Sequence, residues 1–559
     1  MFLHLVELVA FLLAMAPDST ATLRQAHKAQ RDFELTRRAQ LPSGLGRTTR
    51  WCDARIGRYC YWYDPSPDPP TPEPGSVRQA RSRLLRDLAA AAARLPGDDW
   101  IAGQLVRYLV EDGRAEAAVT AARRCRATRW WCDALEGFAR HLAGDYQGAD
   151  DAFMRALGEM PEAERCTWTD LGDLLRDGRR AYRRLGCAER RVPNERIWWL
   201  AQPLYSRPGN DLRTEHYARH TMARLLEDAE TPDAVPWGAD TRELVVRFGW
   251  PTHWSRAPDR PGELTPAILG HEPDPSFWLL PDPAVDEPWA DPTQVRWNPA
   301  LDRPPARYAP RYAAGFDPID RVQFARFRRG DTSLTVAAYD LTPDSVLGAG
   351  RVDVRLAASR DAATPVVIVR VSPSKPRGVL SLRSPWRPAV LSLEAVGLDT
   401  SWIARRRAVA PPDPAGVAPA LSDILLFAPD GDLPASLEAA LPLALAAPVA
   451  RRRERLGLFW EMYDPTETTV SVQVGVTAMK ARSSDAGPYP VGRPWCPLSA
   501  PSPVTLRWRE APERRRRSVG RAVTLDLRPL RKGRYLITVQ ASAGGRPTGC
   551  SSREVRISG

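Results

Sequence analysis

Two histidines in the segment EHYARH come closest to the spacing of a catalytic site. His216 and His220 are four residues apart, so on a helix their imidazoles share one face and can ligate a metal ion. A His-Glu-x-x-His protease needs Glu directly after the first His, and position 217 is Tyr. No third ligand is evident in the sequence, although the fold could bring His253 or His271 close. Two interpretations follow: the histidines belong to a metal-dependent hydrolase, or they have a structural role. We expect no cofactor.

Other catalytic signatures are missing from the sequence. It contains no Gly-x-Ser-x-Gly motif, no phosphate-binding glycine loop with Lys, and no Cys/His nucleophile motif. We therefore expect a binding protein and leave its status as an enzyme open.

Eight cysteines fall into four couples along the chain. None has Cys-x-x-Cys spacing, and none has a His in ligand spacing, so disulfides are favoured over a metal site. The predicted pairs are Cys52–Cys60, Cys125–Cys132, Cys166–Cys187 and Cys496–Cys550.

The first 21 residues read as a signal peptide. Leu8 to Ala16 is an apolar run of signal-peptide length, too short to span a bilayer, and small residues follow at Ser19 and Ala21. No other run approaches the length of a transmembrane helix, so we expect an exported protein, periplasmic or at the cell surface, that is not transmembrane. The alternative is an N-terminal helix of a cytosolic protein.

The basic character of the chain comes from arginine. The net charge is +12, yet only four lysines occur. Arginine runs such as 405–407, 451–455 and 514–517 lie in different segments without interleaved aromatic residues, so we expect solvated surface arginines and no nucleic acid partner. The alternative is an anionic partner, namely an envelope polysaccharide, a lipid head group or an acidic protein.

A helical pattern with an internal repeat covers residues 78–230. The segment 132–161 has Gly137, Ala149, Phe153, Ala156 and Pro161 at the spacing of small, aromatic and proline positions in tetratricopeptide repeats, which it resembles. In such a repeat the small residues let two helices approach closely and the phenylalanine fills the seam. The resemblance implies a protein or peptide partner on the face of the helical array.

The repeat also makes one cysteine pair feasible. On a continuous helix, residues seven apart are separated by about 10.5 Å along the axis, too far for a disulfide. The repeat places residues 127–129 in a turn, so that Cys125 ends one helix and Cys132 begins the next.

The segment WGADTRELVVRFGWP, residues 237–251, resembles the signature of bacterial GWxTD-domain proteins. We read it as a turn, a strand over 244–248 and a Gly-x-Pro turn. That family is exported, of unknown activity, and often combined with helical repeats and β-domains. The residues that carry the match are Asp240, Arg242, Arg247, Phe248, Gly249 and Pro251.

The segment around the first cysteine couple is rich in aromatic residues. A Cys52–Cys60 loop would present Trp51, Tyr61 and Trp62, and a proline-rich spacer follows it. Such a cluster either binds carbohydrate or forms a small core that docks on the next domain.

The C-terminal half has the alternating pattern of half-buried strands. Residues 322–341 read as a hairpin around Gly330, and Val470 to Val476 alternate strictly with small or polar residues. We expect a closing hairpin from two strands, 523–527 and 535–539, with a turn at 529–533. These strands predict antiparallel β-sandwiches.

The sequence thus predicts a multidomain α + β protein. We expect TPR-like helical repeats, a small α/β GWxTD-like module and two antiparallel β-sandwiches. The predicted boundaries are 1–21 for the signal peptide, 22–77 for the cysteine loop and linker, 78–230 for the helical domain, 231–300 for the GWxTD-like module, 301–410 for a β-sandwich, 411–450 for a partly helical linker and 451–559 for the C-terminal β-sandwich.

The function that this organisation favours is non-enzymatic protein binding or scaffolding in a bacterial envelope. A metal-dependent hydrolase that uses His216 and His220 and a carbohydrate-binding protein are the alternatives.

Overall fold

The computed structural model describes residues 2–43, 54–61, 72–175, 179–256, 268–271, 310–410, 420–464, 469–479, 504–511, 517–544 and 546–559. It combines an N-terminal helical unit with two β-sandwiches, so the prediction of a mixed α + β, multidomain protein is confirmed at that level. No helix in these ranges is long and apolar enough to cross a membrane.

The helical unit contains the following helices: α1 (Phe2–Ala39), α2 (Gly75–Arg94), α3 (Asp99–Glu111), α4 (Ala115–Arg123), α5 (Arg129–Leu142), α6 (Tyr146–Glu159), α7 (Glu162–Trp168), α8 (Arg179–Arg183), α9 (Arg191–Ala201), α10 (Asp211–Glu227) and α11 (Ala239–Phe248). Helices α1 to α6 pack in chain order, each against the next. Short loops between them make α3–α4 and α5–α6 helical hairpins.

The helical unit begins earlier than the boundary expected from sequence. Residues 22–39, assigned above to the segment before the helical domain, form the second half of α1 and pack against α2. The hydroxyl of Tyr108 in α3 donates to Glu34 at 2.6 Å, and Gln30 donates to the Tyr108 oxygen at 2.9 Å. These buried polar contacts tie α1 to the array.

Close helix packing in the α5–α6 hairpin depends on a glycine. A Cβ atom at Gly137 would lie 2.8 Å from the ring of Phe153, and Phe153 is fully buried. This is the contact that the small and aromatic positions of the repeat pattern predict. Membership in the tetratricopeptide family stays a prediction.

Helix α10 lies on the array instead of extending it. It packs against α3, α5 and α6, and most of its residues are buried. Gln104 in α3 donates to the Leu225 carbonyl at 2.7 Å, and the rings of Phe153 and Tyr217 are 5.5 Å apart. The chain's own helix therefore covers this part of the face that was expected to receive a partner.

The strand predicted over 244–248 is wrong, because this segment is the second half of α11. Thr241 and the backbone of Gly238 exchange hydrogen bonds of 2.7 Å that cap the helix. Thr241, Val245 and Phe248 are the buried residues of α11, at helical spacing. The β-branched residues of the segment suggested a strand, but burial of one helical stripe against α10 decides the outcome.

Two short hairpins accompany the helical unit. One is formed by β1 (Ala54–Ile56) and β2 (Tyr59–Tyr61), and the other by β3 (His253–Arg256) and β4 (Ile268–His271).

The first β-sandwich packs two sheets around one core. One sheet has the strand order β10-β7-β6 and the larger one the order β5-β12-β11-β8-β9. The predicted hairpin over 322–341 is confirmed, with Gly330 in its turn at a φ of +64°. The strands are β5 (Gly315–Pro318), β6 (Val322–Arg329), β7 (Thr332–Asp340), β8 (Val352–Ser359), β9 (Val367–Ser374), β10 (Arg377–Pro385), β11 (Ala389–Gly397) and β12 (Trp402–Ala410).

The second β-sandwich has the strand order of the first, except that its first two strands in chain order have exchanged places. Its sheets have the orders β13-β15-β18 and β14-β20-β19-β16-β17, and in both domains one strand of the larger sheet pairs in parallel with the last strand. Its elements are β13 (Leu425–Phe427), α12 (Leu437–Ala440), β14 (Val449–Arg451), β15 (Arg455–Tyr463), β16 (Val470–Ala478), β17 (Val504–Glu510), β18 (Ser518–Asp526), β19 (Gly533–Ala543) and β20 (Arg546–Ser558). Strand β13 and helix α12 lie in the expected linker 411–450.

The predicted closing hairpin over 523–539 is wrong. Strand β18 pairs with β15, whereas β19 pairs with β16 and β20 in the other sheet. The Tyr535 hydroxyl exchanges hydrogen bonds of 3.0 and 2.9 Å with the backbone of Arg531, as in the tyrosine corner of a β-sandwich. The connection therefore crosses between the sheets, which lets both strands bury their apolar faces in one core.

Candidate functional site

The larger sheet of the first β-sandwich carries a row of charged residues on the face that points away from its core. Arg370 in β9 is directly opposite Arg355 in β8, which is opposite Glu394 in β11, which is opposite Arg405 in β12. Residues of the other parity, such as Leu356 and Leu393, lie in the hydrophobic core. The charged row therefore faces the helical unit.

One end of this row is covered by the segment that links α9 to α10. Glu394 accepts hydrogen bonds from the backbone N–H groups of Tyr205 at 2.7 Å and Ser206 at 3.1 Å. The Arg405 guanidinium donates to the carbonyls of Gln202 at 2.8 Å and Pro203 at 2.9 Å. Charged side chains thus satisfy the backbone of a loop buried between two domains.

The arginine run 405–407 was expected to be solvated, and the structure corrects this for two of its members. Arg405 is 6% exposed and Arg407 is 2% exposed. Arg407 donates to the carbonyls of Leu200 and Gln202. The alternation of β12 directs both guanidiniums to the helical unit, where carbonyl groups replace water as their partners.

Apolar contacts reinforce this interface. Trp199, Leu200 and Tyr205 pack against Ala357, Val390 and Val409 of the sheet. The indole N–H of Trp199 donates to the Ser359 hydroxyl at 2.7 Å. The helical unit and the first β-sandwich therefore share a buried and specific interface.

The other end of the charged row is left open by the described residues and forms a cleft of about 460 Å³. The helical unit contributes the turn between α5 and α6, residues 144–147, and the loop 206–208. The sheet contributes Arg355, Ile368 and Arg370. The cleft is thus a gap in the interface between two domains, a common position for ligand sites.

Among the residues that the structure describes, three arginines and one aspartate are the charged residues that line this cleft. Arg355 and Arg370 both bind Asp353, at 2.6 and 2.8 Å, and the Asp353 side chain is 2% exposed. Burial tends to raise the pKa of the Asp353 carboxyl, but its hydrogen bonds from the two arginines hold this pKa below its ordinary value. The single carboxylate of Asp353 therefore forms ion pairs with two guanidiniums.

The third arginine of the cleft comes from the helical unit. The Arg207 guanidinium lies over the ring of Tyr312, 3.9 Å from its centroid. In the part of the chain that the structure describes, no carboxylate is within ion-pair distance of Arg207. Stacking leaves the edge of a guanidinium able to donate hydrogen bonds to an anion.

The aspartate of the cleft does not compensate for this charge. Asp145 caps α6 by accepting a hydrogen bond from the Gly148 N–H at 3.0 Å, and it forms an ion pair with Arg140. Its carboxylate is thus already neutralised within the helical unit. The cleft carries a positive excess and is suited to an anionic ligand.

A buried ionic network supports the same interface. Glu215 in α10 binds His141 at 2.6 Å, Arg219 at 2.7 Å and Arg311 at 3.2 Å. Burial tends to raise the pKa of Glu215, but the Arg311 and Arg219 guanidiniums and the His141 hydrogen bond hold it well below its ordinary value. Arg311 precedes β5, so this network joins α10 to the start of the β-sandwich.

The two histidines singled out from the sequence are core residues of α10. Their rings are 4.7 Å apart, and His216 donates through Nε2 to the Trp168 carbonyl at 2.9 Å. His220 stacks on the Trp168 ring. A metal site needs at least three protein ligands. Within the described ranges, no group of three or more His, Cys, Asp or Glu side chains is placed to hold a metal ion.

Two of the predicted disulfides lie within the described residues, and both are formed. The Cα atoms of Cys125 and Cys132 are 5.6 Å apart, and those of Cys166 and Cys187 are 5.5 Å apart. Cys60 and Cys550 are also disulfide-bonded. Their predicted partners, Cys52 and Cys496, lie outside the described residues.

The residues of the GWxTD-like motif make contacts within the chain. Asp240 binds Arg58 of the β1–β2 hairpin at 2.7 Å, and Arg242 binds Glu227 at 3.0 Å. Gly249 ends α11 with a φ of +74°, a conformation that favours glycine. Of the remaining motif residues, Arg247 pairs with Glu243, Phe248 packs on Tyr61 and Pro251 lies against Gly270.

The aromatic loop was a candidate for carbohydrate binding. Tyr61 packs its ring on Phe248, with centroids 3.9 Å apart. This contact docks the β1–β2 hairpin on α11 and covers one face of the Tyr61 ring. Trp51 and Trp62 lie outside the described residues.

Sequence reasoning missed the arginines of the cleft. Arg207 follows a helix end, whereas Arg355 and Arg370 stand in strands as ordinary outward-facing residues. A signal was present, because Asp353, Arg355 and Glu394 are charged residues within otherwise apolar strands. That pattern does not predict which strands become neighbours or which part of the chain covers their outer face.

Comparisons with known proteins leave the family open. No protein family model and no curated protein matches the chain. Among solved structures, red sea bream transglutaminase is similar over 43% of this chain and 32% of that chain, with 11% sequence identity and a TM-score of 0.13. A similarity at this level carries no argument about fold or function.

Proposed function

We propose that this protein is an exported, non-enzymatic binding protein that holds a carboxylate-bearing partner in the cleft between its helical unit and its first β-sandwich. The observation that carries the proposal is the convergence of Arg207, Arg355 and Arg370 on one cleft, where the one carboxylate among the described lining residues, Asp145, is already paired. Guanidiniums recognise carboxylates through paired hydrogen bonds.

The structure favours the cleft over the face of the helical repeats as the place where a partner binds. Helix α10 covers the face of α3 and α5 that a TPR-like array would offer to a peptide. The cleft, in contrast, remains open at the edge of the interface. The TPR-like and GWxTD-like assignments stay part of this proposal, and they rest on the sequence patterns described above.

Export is proposed from the apolar leader together with the disulfides. Cys125–Cys132 and Cys166–Cys187 require an oxidising compartment to persist. Intact-mass spectrometry with thiol labelling, on protein fractionated from its native host, tests this part. A shortened extracytoplasmic chain without labelled thiols is expected, and a full-length cytosolic chain with free thiols would contradict export.

The binding proposal is tested with two carboxylate polymers of different backbone, poly-L-glutamate and polygalacturonate, and with dextran as the neutral control. Binding to at least one acidic polymer is expected by calorimetry, with an affinity that falls as salt is added. The variant Arg207→Gln/Arg370→Gln is expected to weaken binding by at least about tenfold, because two charge-assisted hydrogen bonds are lost.

A matched variant removes the same charge elsewhere. Arg83 and Arg86 are exposed on α2, away from the cleft. Arg83→Gln/Arg86→Gln is expected to change the affinity by less than about twofold, since remote surface charges are screened. Equal losses in both double variants, or no binding of either polymer, would overturn the proposed function.

A further inference from the structure

Strand β9 forms one wall of the cleft and is also an edge strand of its sheet. It pairs with β8, and among the described strands it has no neighbour on its other side. An end strand presents unpaired backbone N–H and C=O groups, to which another extended chain can add.

The first part of β9, residues 367–371, has little of the protection that edge strands usually have, whereas Pro373 interrupts the edge near the end of the strand. Ile368 is 42% exposed and Val371 is 45% exposed. Charged or inward-pointing polar residues normally guard such an edge against pairing, and between these two residues β9 carries one charge, Arg370. The exposed apolar residues flank the arginine that binds Asp353 in the cleft.

The register across the sheet defines what an added strand would meet. Arg370 is opposite Arg355, and Ile368 is opposite Ala357, so Arg370 and Ile368 project from the same face two residues apart. Directly opposed side chains on neighbouring strands lie about 5 Å apart. A residue opposite Arg370 would therefore extend the charged row by one position, toward the open side of the cleft.

We infer that the partner is an extended acidic segment of another protein, which adds to β9 as a further strand. This inference rests on the proposed function and names the class of its ligand. Charge complementarity selects the occupant, because an acidic residue opposite Arg370 places its carboxylate beside that guanidinium, at the end of the charged row. An apolar residue two positions away covers Ile368, and Arg207 reaches the segment from the facing wall.

The geometry favours a polypeptide over an acidic polysaccharide. A uronate polymer can pair its carboxylates with the arginines, but it offers no backbone N–H groups to the free edge of β9. It would also leave Ile368 exposed. A polypeptide satisfies the arginines, the apolar residues and the strand edge at once.

A synthetic peptide with one face that alternates Glu and Val tests the inference. We would use fluorescein-labelled Thr-Glu-Thr-Val-Thr-Glu-Thr-Val and measure its binding to the full chain by fluorescence anisotropy. Two derivatives carry N-methyl groups on alternate amides, in one phase or the other. Because strand pairing uses every second amide, one derivative is expected to lose at least about tenfold in affinity and the other to bind nearly unchanged.

Substitutions on the protein give an independent readout. Ile368→Asp is expected to weaken the peptide at least about tenfold, because it places a charge opposite the apolar Val of the peptide and a like charge diagonally across from its Glu, whereas Ile368→Val retains binding. Leu506 is similarly exposed on β17, the end strand of the second β-sandwich. Leu506→Asp is the matched control and is expected to bind the peptide like the wild type.

The outcomes separate the two proposals. If polygalacturonate binds through the cleft arginines and the peptide does not, the proposed function stands and the inference fails. The same holds if both methylated peptides bind equally well, because recognition would then not involve strand pairing. If no acidic polymer or peptide responds to Arg207→Gln/Arg370→Gln, both proposals fail.

Discussion

Arg355 and Arg370 stand directly opposite each other on antiparallel strands, and both donate hydrogen bonds to the carboxylate of Asp353. Like charges in opposed positions destabilise a sheet. The buried aspartate offsets this repulsion and holds both guanidiniums at the cleft. Asp353, a buried residue that does not itself line the cleft, therefore fixes the positions of two arginines that do.

Removal of that carboxylate is the first prediction. Asp353→Asn is expected to lower the free energy of unfolding by about 1–3 kcal/mol, because the negative charge that strengthens the hydrogen bonds from both arginines is lost. Chemical denaturation measures the change. Asp399→Asn is the control, since Asp399 pairs with Arg351 on the exposed surface and is expected to leave stability nearly unchanged. Equal effects of the two variants would contradict the role of Asp353.

The buried histidines of α10 predict sensitivity to acid. Burial lowers the pKa of His216 from 6.5 to about 4 and that of His220 well below its ordinary value. The unfolded chain therefore binds more protons than the folded chain below pH 6.5. Stability is expected to be greatest above pH 6.5 and to fall as pH approaches 4, by about 3 kcal/mol for His216 alone.

This acid sensitivity is measured as the denaturant midpoint at a series of pH values. His216→Gln keeps an N–H donor for the Trp168 carbonyl but removes the titrating imidazole. Its stability is expected to depend less steeply on pH than that of the wild type. An unchanged slope would show that His216 takes up its proton at the same pH in the folded and the unfolded chain, and would contradict its lowered pKa.

The two disulfides of the helical unit are expected to contribute unequally. The chain-entropy relation assigns about 2.5 kcal/mol to Cys125–Cys132 and about 3 kcal/mol to Cys166–Cys187, because the second bridge closes the longer loop, with a sequence separation of 21 against 7. Paired Cys→Ser variants of each bridge, compared by denaturation, measure both values. A larger loss at the shorter loop would indicate that native contacts outweigh loop entropy.

The α5–α6 hairpin allows a test within one pair of helices. Gly137→Ala is expected to destabilise the protein by about 1–3 kcal/mol, since its methyl group would overlap the buried Phe153 ring. Gly158→Ala, on the exposed face of α6 with no atom near the added methyl group, is expected to stabilise it by up to about 1 kcal/mol. Thermal unfolding distinguishes the two, and stabilisation by Gly137→Ala would refute the close packing.

Local patterns predicted several elements correctly. The turn at Gly330 specified the β6–β7 hairpin because its residues and the flanking alternation agree. Cys125 and Cys132 were paired because a turn between helices brings residues seven apart within reach. In each case the information lies within a short stretch of chain.

Sequence patterns led to wrong predictions where the structure of a segment depends on partners that are distant in the chain. The segment 244–248 has the composition of a strand, yet it is a helix because packing against α10 and the β1–β2 hairpin buries one helical stripe with Val245 and Phe248. The apparent hairpin over 523–539 has a turn between two alternating strands, but each strand finds its partner in a different sheet. Side-chain alternation reports that one face is buried and does not report against which sheet.

The sequence by itself determined the mixed α + β class, the hairpin at Gly330 and the cysteine pairs in the helical unit, because periodicity, turn residues and short spacings act locally. Only the tertiary structure decided that Arg405 and Arg407 are buried and that Arg207 joins Arg355 and Arg370 at one cleft. These residues come from segments far apart in the chain. Their meeting depends on strand order and on the docking of the loop after α9 against the sheet, both of which minimise exposed apolar area and unpaired charge for the whole molecule.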